Sequence, residues 1–362
     1  MSRNRIFFVI VVGLALAFVG VAFVAERLDL FVLPTRQALP IQVWVSPALH
    51  DWAEAAAADF ESSRPGATVE IRVVDSLSFS DEFRRAEKAI QDGAADPGAL
   101  PEAWLPEASF VVGLARAQAN VPFEATGQPV AYSSLVWGAF ASREQVLVQR
   151  LGALNWQTVH EAAVVAAWEE LGGDPSWRFF KLVIASPTRS PEGLAALLAA
   201  AATYHNRPDL DVSDVNDPAF LAWLVEVVES VPSFNTLGPN PAQEMATRGS
   251  SIGDVGLLTE AAWRRSGLLG RQDFVTASPQ FTLRLDYPYT LRTDLAPGSA
   301  ERDLAEAFGR FLLQEAQAGL AEYGFEAAGA GASVGGAAQQ VEVDGQVALT
   351  LLRRAEQERL GQ

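Results

Sequence analysis

The chain has 362 residues, 49% of them hydrophobic, with nine Trp and twenty Phe, which supplies enough apolar mass for two packed lobes and excludes a disordered chain. A formal charge of -17 sets the field of the molecule against polyanions and argues against nucleic acid as a partner. The lack of cysteine excludes disulfides, thiolate zinc sites, a Cys nucleophile and a lipid anchor on cysteine, and His50, His160 and His205 lie too far apart for metal-ligand spacing.

Arg3 and Arg5 precede Ile6 to Ala25, an uncharged apolar run long enough at helical rise to span a bilayer core. Its end, GVAFVAER, offers a poor cleavage site, so residues 1–25 read as an uncleaved membrane anchor rather than a signal segment, with the basic side in the cytoplasm and all later residues outside. Residues 26–40 read as a tether. IQVWV, the Ala-rich run Asp51 to Glu61 and TVEIRVV then form a strand, a helix and a strand, a βαβ opening whose crevice lies beyond the strand C-termini, where Ser46 sits. Phe79 to Gln91 reads as helix, Pro101 to Pro106 as a short strand and turn, Glu107 to Ala117 as helix, and YSSLVWGAF as an apolar strand led by Ser133 and Ser134. A long helix is expected over Trp156 to Leu171 and a strand over Phe179 to Ala185.

The stretch SPTRSPEGLAALLAA then crowds three hydroxyls at a strand-to-helix junction. Ser190, Pro191 and Glu192 read as an N-cap, a proline at the first helical position and an acid in the first turn. Such a junction offers backbone N–H groups and the positive helix end to an anionic or strongly polar ligand, although an ordinary capped connection would carry the same residues. Asp217 to Ser230 and NPAQEMATRG read as helices, Ser250 to Thr259 as a strand running into Glu260 and a further helix, Phe281 to Asp286 as an alternating strand, Ala300 to Tyr323 as an amphipathic helix, and Val347 to Leu360 as a closing helix. GFEAAGAGASVGG lacks the register of a phosphate loop and reads as a linker, so no cofactor is expected.

SPAL after the first strand, EAWLPEAS, YSSLVWGAF, SPTRSPEGLAAL, DVGLLTE and YPY, taken in this order, resemble the type II extracellular solute-binding proteins of ABC transporters, in pattern the molybdate- and sulfate-binding branch. The resemblance runs from about Ile41 to Phe325 and implies an α/β, two-lobed periplasmic-binding-protein-like fold behind an N-terminal transmembrane helix. It implies a first lobe of residues 41–140 and 279–362 and a second of 141–278, with crossings near Ser133 to Phe140 and Arg284 to Tyr289. Carried over by position, Ser46, Ser133 or Ser134, Thr188, Ser190, Glu260 and Tyr287 would face the interlobe cleft. Glu107, Glu260 and Asp286 would make that cleft more acidic than an oxyanion carrier requires, unless they are caps or solvated.

The leading expectation is a non-enzymatic, membrane-anchored extracytoplasmic receptor that closes its lobes over a small polar solute and presents it to an ABC permease. A sensor or structural partner of another envelope protein stands beside it, because the lipid-anchoring cysteine is missing. An enzyme on the same fold is the third reading, and it lacks a GxSxG elbow or a histidine near Ser134 or Ser190 in sequence. The ligand's identity stays open among oxyanion, amine and sugar.

Overall fold

The structure is a computed structural model that describes residues 39–329 and 338–361. The apolar segment Ile6 to Ala25, most of the tether and part of the Gly-rich linker lie outside the described residues. Among the described residues, no helix is long and apolar enough to cross a membrane.

The first half of the chain alternates strand and helix: β1 (Leu39–Val45), α1 (His50–Ser63), β2 (Ala67–Val73), α2 (Phe79–Gln91), β3 (Ala103–Leu105), α3 (Ser109–Ala119), β4 (Gln128–Pro129) and β5 (Ala131–Phe140). Helices α4 (Ala141–Leu151) and α5 (Trp156–Val164), strand β6 (Leu182–Val183), and helices α6 (Pro191–His205), α7 (Pro218–Val228), α8 (Phe234–Leu237) and α9 (Pro241–Arg248) follow. Next come β7 (Val255–Thr259), α10 (Glu260–Arg265), β8 (Phe274–Ala277), β9 (Phe281–Thr282), β10 (Arg284–Leu285) and β11 (Pro288–Leu291). The chain closes with α11 (Ala300–Gln314), β12 (Glu326–Ala327), β13 (Gln339–Gln340) and α12 (Gly345–Gln357).

Two sheets organise these elements. The first has the order β2-β1-β3-β11-β4 and the second β10-β5-β7-β6, with β8 and β12 also pairing along β5. Parallel pairing of β1 with β3 and of β6 with β7 buries both strand faces, which is why IQVWV, AWL and VGLLT are nearly continuous apolar runs rather than alternating ones. Strand β5 is the long diagonal element: its end pairs with β7 and β8, its start with β10 and β12. Under the first sheet Trp104 stacks on Phe79 with ring centroids 3.7 Å apart, so this Trp is core and no ligand platform. In the second half of the fold α6 is buried along Gly193 to Ala202, as expected of a helix apolar all round. Asp254, fully buried, accepts from Arg143 Nε at 2.8 Å, Trp168 Nε1 at 3.2 Å and the Lys181 amide at 3.0 Å.

Three expected elements are shorter than their sequence pattern. The helix begun at Trp156 stops at Val164, because the backbone turns extended at Val165 and the Trp168 amide donates to Arg178 O at 2.7 Å. The strand expected over Phe179 to Ala185 pairs only at Leu182 and Val183, since Phe179 is exposed and the Lys181 amide is held by Asp254. The helix expected to reach Tyr323 becomes 3-10 after Gln314: Ala316 O turns out to accept from Trp52 Nε1, and Gln317 Nε2 donates to Val130 O and Leu312 O. The run Phe281 to Asp286 is likewise divided at Leu283, its two pieces pairing with different strands.

Candidate functional site

The C-terminal ends of β2, β1 and β3 and the start of the antiparallel β11 deliver one polar residue each. Beyond β2 comes Ser76, beyond β1 Ser46, beyond β3 Glu107, and at the start of β11 Tyr287, so sheet order sets them in a row. Backbone bonds fix the row: Ser46 N donates to Leu105 O at 2.9 Å, Val74 N to Val45 O at 2.9 Å, and Tyr287 N to Glu107 O at 3.1 Å. All four residues are buried. Such strand ends are where ligands bind in open α/β sheets. Tyr287 has φ +35, a left-handed backbone that a bulky residue adopts at a cost of about 1–3 kcal/mol, and its ring meets Phe325 edge-on at 5.0 Å.

From the other side come the first turn of α6 and the end of β7. Glu192 Oε1 accepts from Thr259 N at 2.6 Å. Glu107 and Glu192 are near enough that the charge of Glu192 helps raise the Glu107 pKa. Burial is the main cause of that rise, to about 7, with Asp75 adding to it and the neighbouring Ser76 hydroxyl opposing it. The Ser76 hydroxyl is thus beside the Glu107 carboxylate, yet Ser76 Oγ, Glu107 Oε2 and Ser46 Oγ each lack a hydrogen-bond partner of ordinary geometry in the protein. Burial also raises the Glu192 carboxyl, against the Thr259 hydrogen bonds and Arg265, and pushes the Tyr287 phenol well above its ordinary value, with Glu107 assisting.

The sequence-predicted residues fall into separate groups. Ser46 and Tyr287 belong to the row just described. Ser133 Oγ accepts from Ala261 N at 3.0 Å at the start of α10, and with Glu260, Arg264 and Phe325 it lines a cavity of about 190 Å³. Glu260 itself is half-buried and pairs with Arg264. Ser134 is buried in β5 opposite Arg284. Thr188 and Ser190 stand in the loop before α6, where Ser186 Oγ donates to Gly361 O at 3.0 Å and the chain's own last described turn covers the loop. Ser190 is at the N-cap position with Pro191 after it and has the extended backbone of a cap (φ -136, ψ 128), but its side chain makes no cap bond. Asp286 is a cap, accepting from Ser109 N at 2.7 Å and from Ser109 Oγ, at the edge of a cavity of about 380 Å³ that Tyr132 and Arg284 also line.

Sequence reasoning passed over Ser76, counted Glu107 among the acids of the cleft without making it a contact, and read Glu192 only as the first-turn acid of a helix. The available signal was position: each directly follows a strand end or opens a helix, the same criterion that selected Ser46. Among the described residues no three His, Cys, Asp or Glu side chains gather as a metal would require. His160 bonds Glu226 at 2.7 Å and stacks on Trp223, while His205 lies against Asp214.

No curated protein matches the sequence. Among solved structures, the sulfate-binding protein SubI of Mycobacterium tuberculosis H37Rv superposes with a TM-score of 0.54 at 15% identity, covering 88% of this chain and 98% of that one. The apo ferric ion-binding protein A of Pasteurella haemolytica gives 0.55 at 12% identity over 89% and 98%. A sugar transporter of Arthrobacter chlorophenolicus A6 with bound laminaribiose gives 0.51 at 14% over 88% and 85%. At these identities the likeness establishes the two-lobed α/β binding-protein fold. The family of bacterial extracellular solute-binding proteins matches residues 41–326, most of the chain, and the protein belongs to that family.

Proposed function

We propose that the chain is the extracytoplasmic receptor of an ABC-type uptake system, held at the membrane by Ile6 to Ala25, which captures a small polar solute by closing its lobes. The lobes are residues 41–140 with 279–362, and residues 141–278. The observation that carries this reading is the row Ser76, Ser46, Glu107 and Tyr287 at one sheet's strand ends, faced by Glu192 and Thr259 from the other half of the fold. Ser133, Ser134, Thr188, Ser190 and Glu260 are further candidate contacts outside this row, with Ser133 Oγ accepting from Ala261 N at the α10 start and Thr188 Oγ1 3.4 Å from Ser186 Oγ in the loop before α6. Lobe closure is the mechanism, so occupancy should compact the molecule. Mass spectrometry of solute released from the purified protein, with small-angle scattering before and after release, tests it. A bound small solute and an expanded form on its removal are expected, and a protein that carries and binds none overturns the reading.

A sensing or structural role beside another envelope protein is favoured by one observation. Gly361 O accepts from Ser186 Oγ at 3.0 Å and from Arg189 Nη2 at 3.4 Å, so the polar loop expected to anchor a solute is already engaged by the chain itself.

A further inference from the structure

Several amide donors around the cleft are already bound within the protein. Ser109 N donates to Asp286, Thr259 N to Glu192, Ala261 N to Ser133 Oγ, Ala262 N to Thr259 Oγ1, and Ser190 N to Ser186 O. What the row leaves unpaired is of the opposite kind: a carboxylate oxygen, Glu107 Oε2, and two hydroxyls, Ser46 Oγ and Ser76 Oγ, in residues that are 8%, 0% and 1% exposed. A buried carboxylate without a partner is costly, and a compact cation with several N–H donors relieves it.

We propose that the row at the ends of β1, β2 and β3 recognises a solute bearing a protonated amine, which ion-pairs with Glu107 and donates further hydrogen bonds to the Ser46 and Ser76 hydroxyls. The proposal rests on the solute-receptor reading and adds the ligand's chemical class. Glu192, on the facing helix start, supplies a second negative charge, and the exposed Asp75 a third. The cation that acts on Glu192 and Tyr287 is Arg265, which is solvent-exposed and directed to Tyr323 O at 3.3 Å. A single ammonium suits a site of one carboxylate oxygen and two hydroxyls, whereas a metal ion would need more ionised oxygens than converge there. With its pKa near 7, Glu107 is partly protonated at neutral pH, so binding an ammonium expels about half a proton at pH 7. Affinity for an amine that stays charged then rises as pH increases through 7.

The test is calorimetry on the full chain with n-butylamine, ethanolamine and 1,4-diaminobutane, beside sulfate and a disaccharide, in buffers of different ionisation heat. At least one amine should bind with proton release, tenfold or more weaker in Glu107→Gln and several-fold weaker in Ser46→Ala, with both variants folded by circular dichroism. Glu107→Gln keeps the shape and removes the buried charge, so loss of fold is not expected. Amine binding unchanged in Glu107→Gln, or binding of sulfate or the disaccharide in place of every amine, overturns the amine assignment and leaves the solute-receptor reading standing. If no probe binds and no solute is released from the purified protein, both readings fall.

Discussion

Glu107 carries the sharpest consequence at the scale of single residues. Its carboxyl is raised from 4.5 to about 7, so between those values the folded protein holds a proton that the unfolded chain has lost. The contribution of this group is therefore fully present below pH 4.5 and is lost as pH rises through 7, a change of up to about 3 kcal/mol. Glu192 and Asp286, also raised, act in the same direction. Urea denaturation of the ligand-free protein should show stability falling from pH 5 to pH 8, with a visibly flatter dependence in Glu107→Gln; identical slopes would mean that Glu107 titrates as an ordinary surface acid. Ser190 gives the contrasting case. Because its hydroxyl makes no cap bond, Ser190→Ala should change stability by less than about 0.5 kcal/mol, well short of the loss a working cap would show. A drop of several degrees in Tm would contradict the observed geometry.

At the scale of elements, the SPEG motif is explained by contact rather than by capping. A Cβ at Gly193 would stand 2.3 Å from Ala185 O and 2.7 Å from the Ser186 carbonyl carbon, so the start of α6 lies directly on the loop that ends β6. Gly193→Ala gains up to about 1 kcal/mol in helix propensity but must move backbone, and a net loss of about 1–3 kcal/mol is expected in thermal unfolding. A more stable variant would show that the contact relaxes freely. Much of the fold was legible in sequence for related reasons. IQVWV and VGLLT are strands whose apolar runs match burial on both faces, TVEIRVV is a half-exposed strand at the sheet edge, and α2 spans Phe79–Gln91 as its amphipathic pattern requires. Boundaries were lost where a side chain took over a backbone group, as Asp254 does at Lys181 and Gln317 after α11, since nothing local in sequence announces a partner 73 residues away. For the candidate site, strand ends pointed to Ser46 and Tyr287, but whether an acid is ion-paired like Glu260, capping like Asp286 or buried like Glu107 depends on what packs over it.

For the whole molecule, membership of an extracellular solute-binding family gives an extracytoplasmic location, and the charge of -17 keeps such a domain clear of anionic lipid surfaces. If Ile6 to Ala25 anchors it as proposed, full-length protein should sediment with membranes and resist high-salt extraction. Recovery in the soluble fraction with a mature N-terminus near Glu26 would replace the anchor with a cleaved leader. The path of α12 bears on how such a receptor moves. This helix lies against both α3 and α6, its Gly345 pressed on the Gly113 backbone at one end, while past its other end Gly361 is bonded to Ser186. Arg354 also reaches Asn216 Oδ1 at 2.7 Å. Any swing that parts the two sheets must unseat the helix from one side or the other. In a receptor that closes over its solute, this helix would act as a strap that limits how far the two sheets can part.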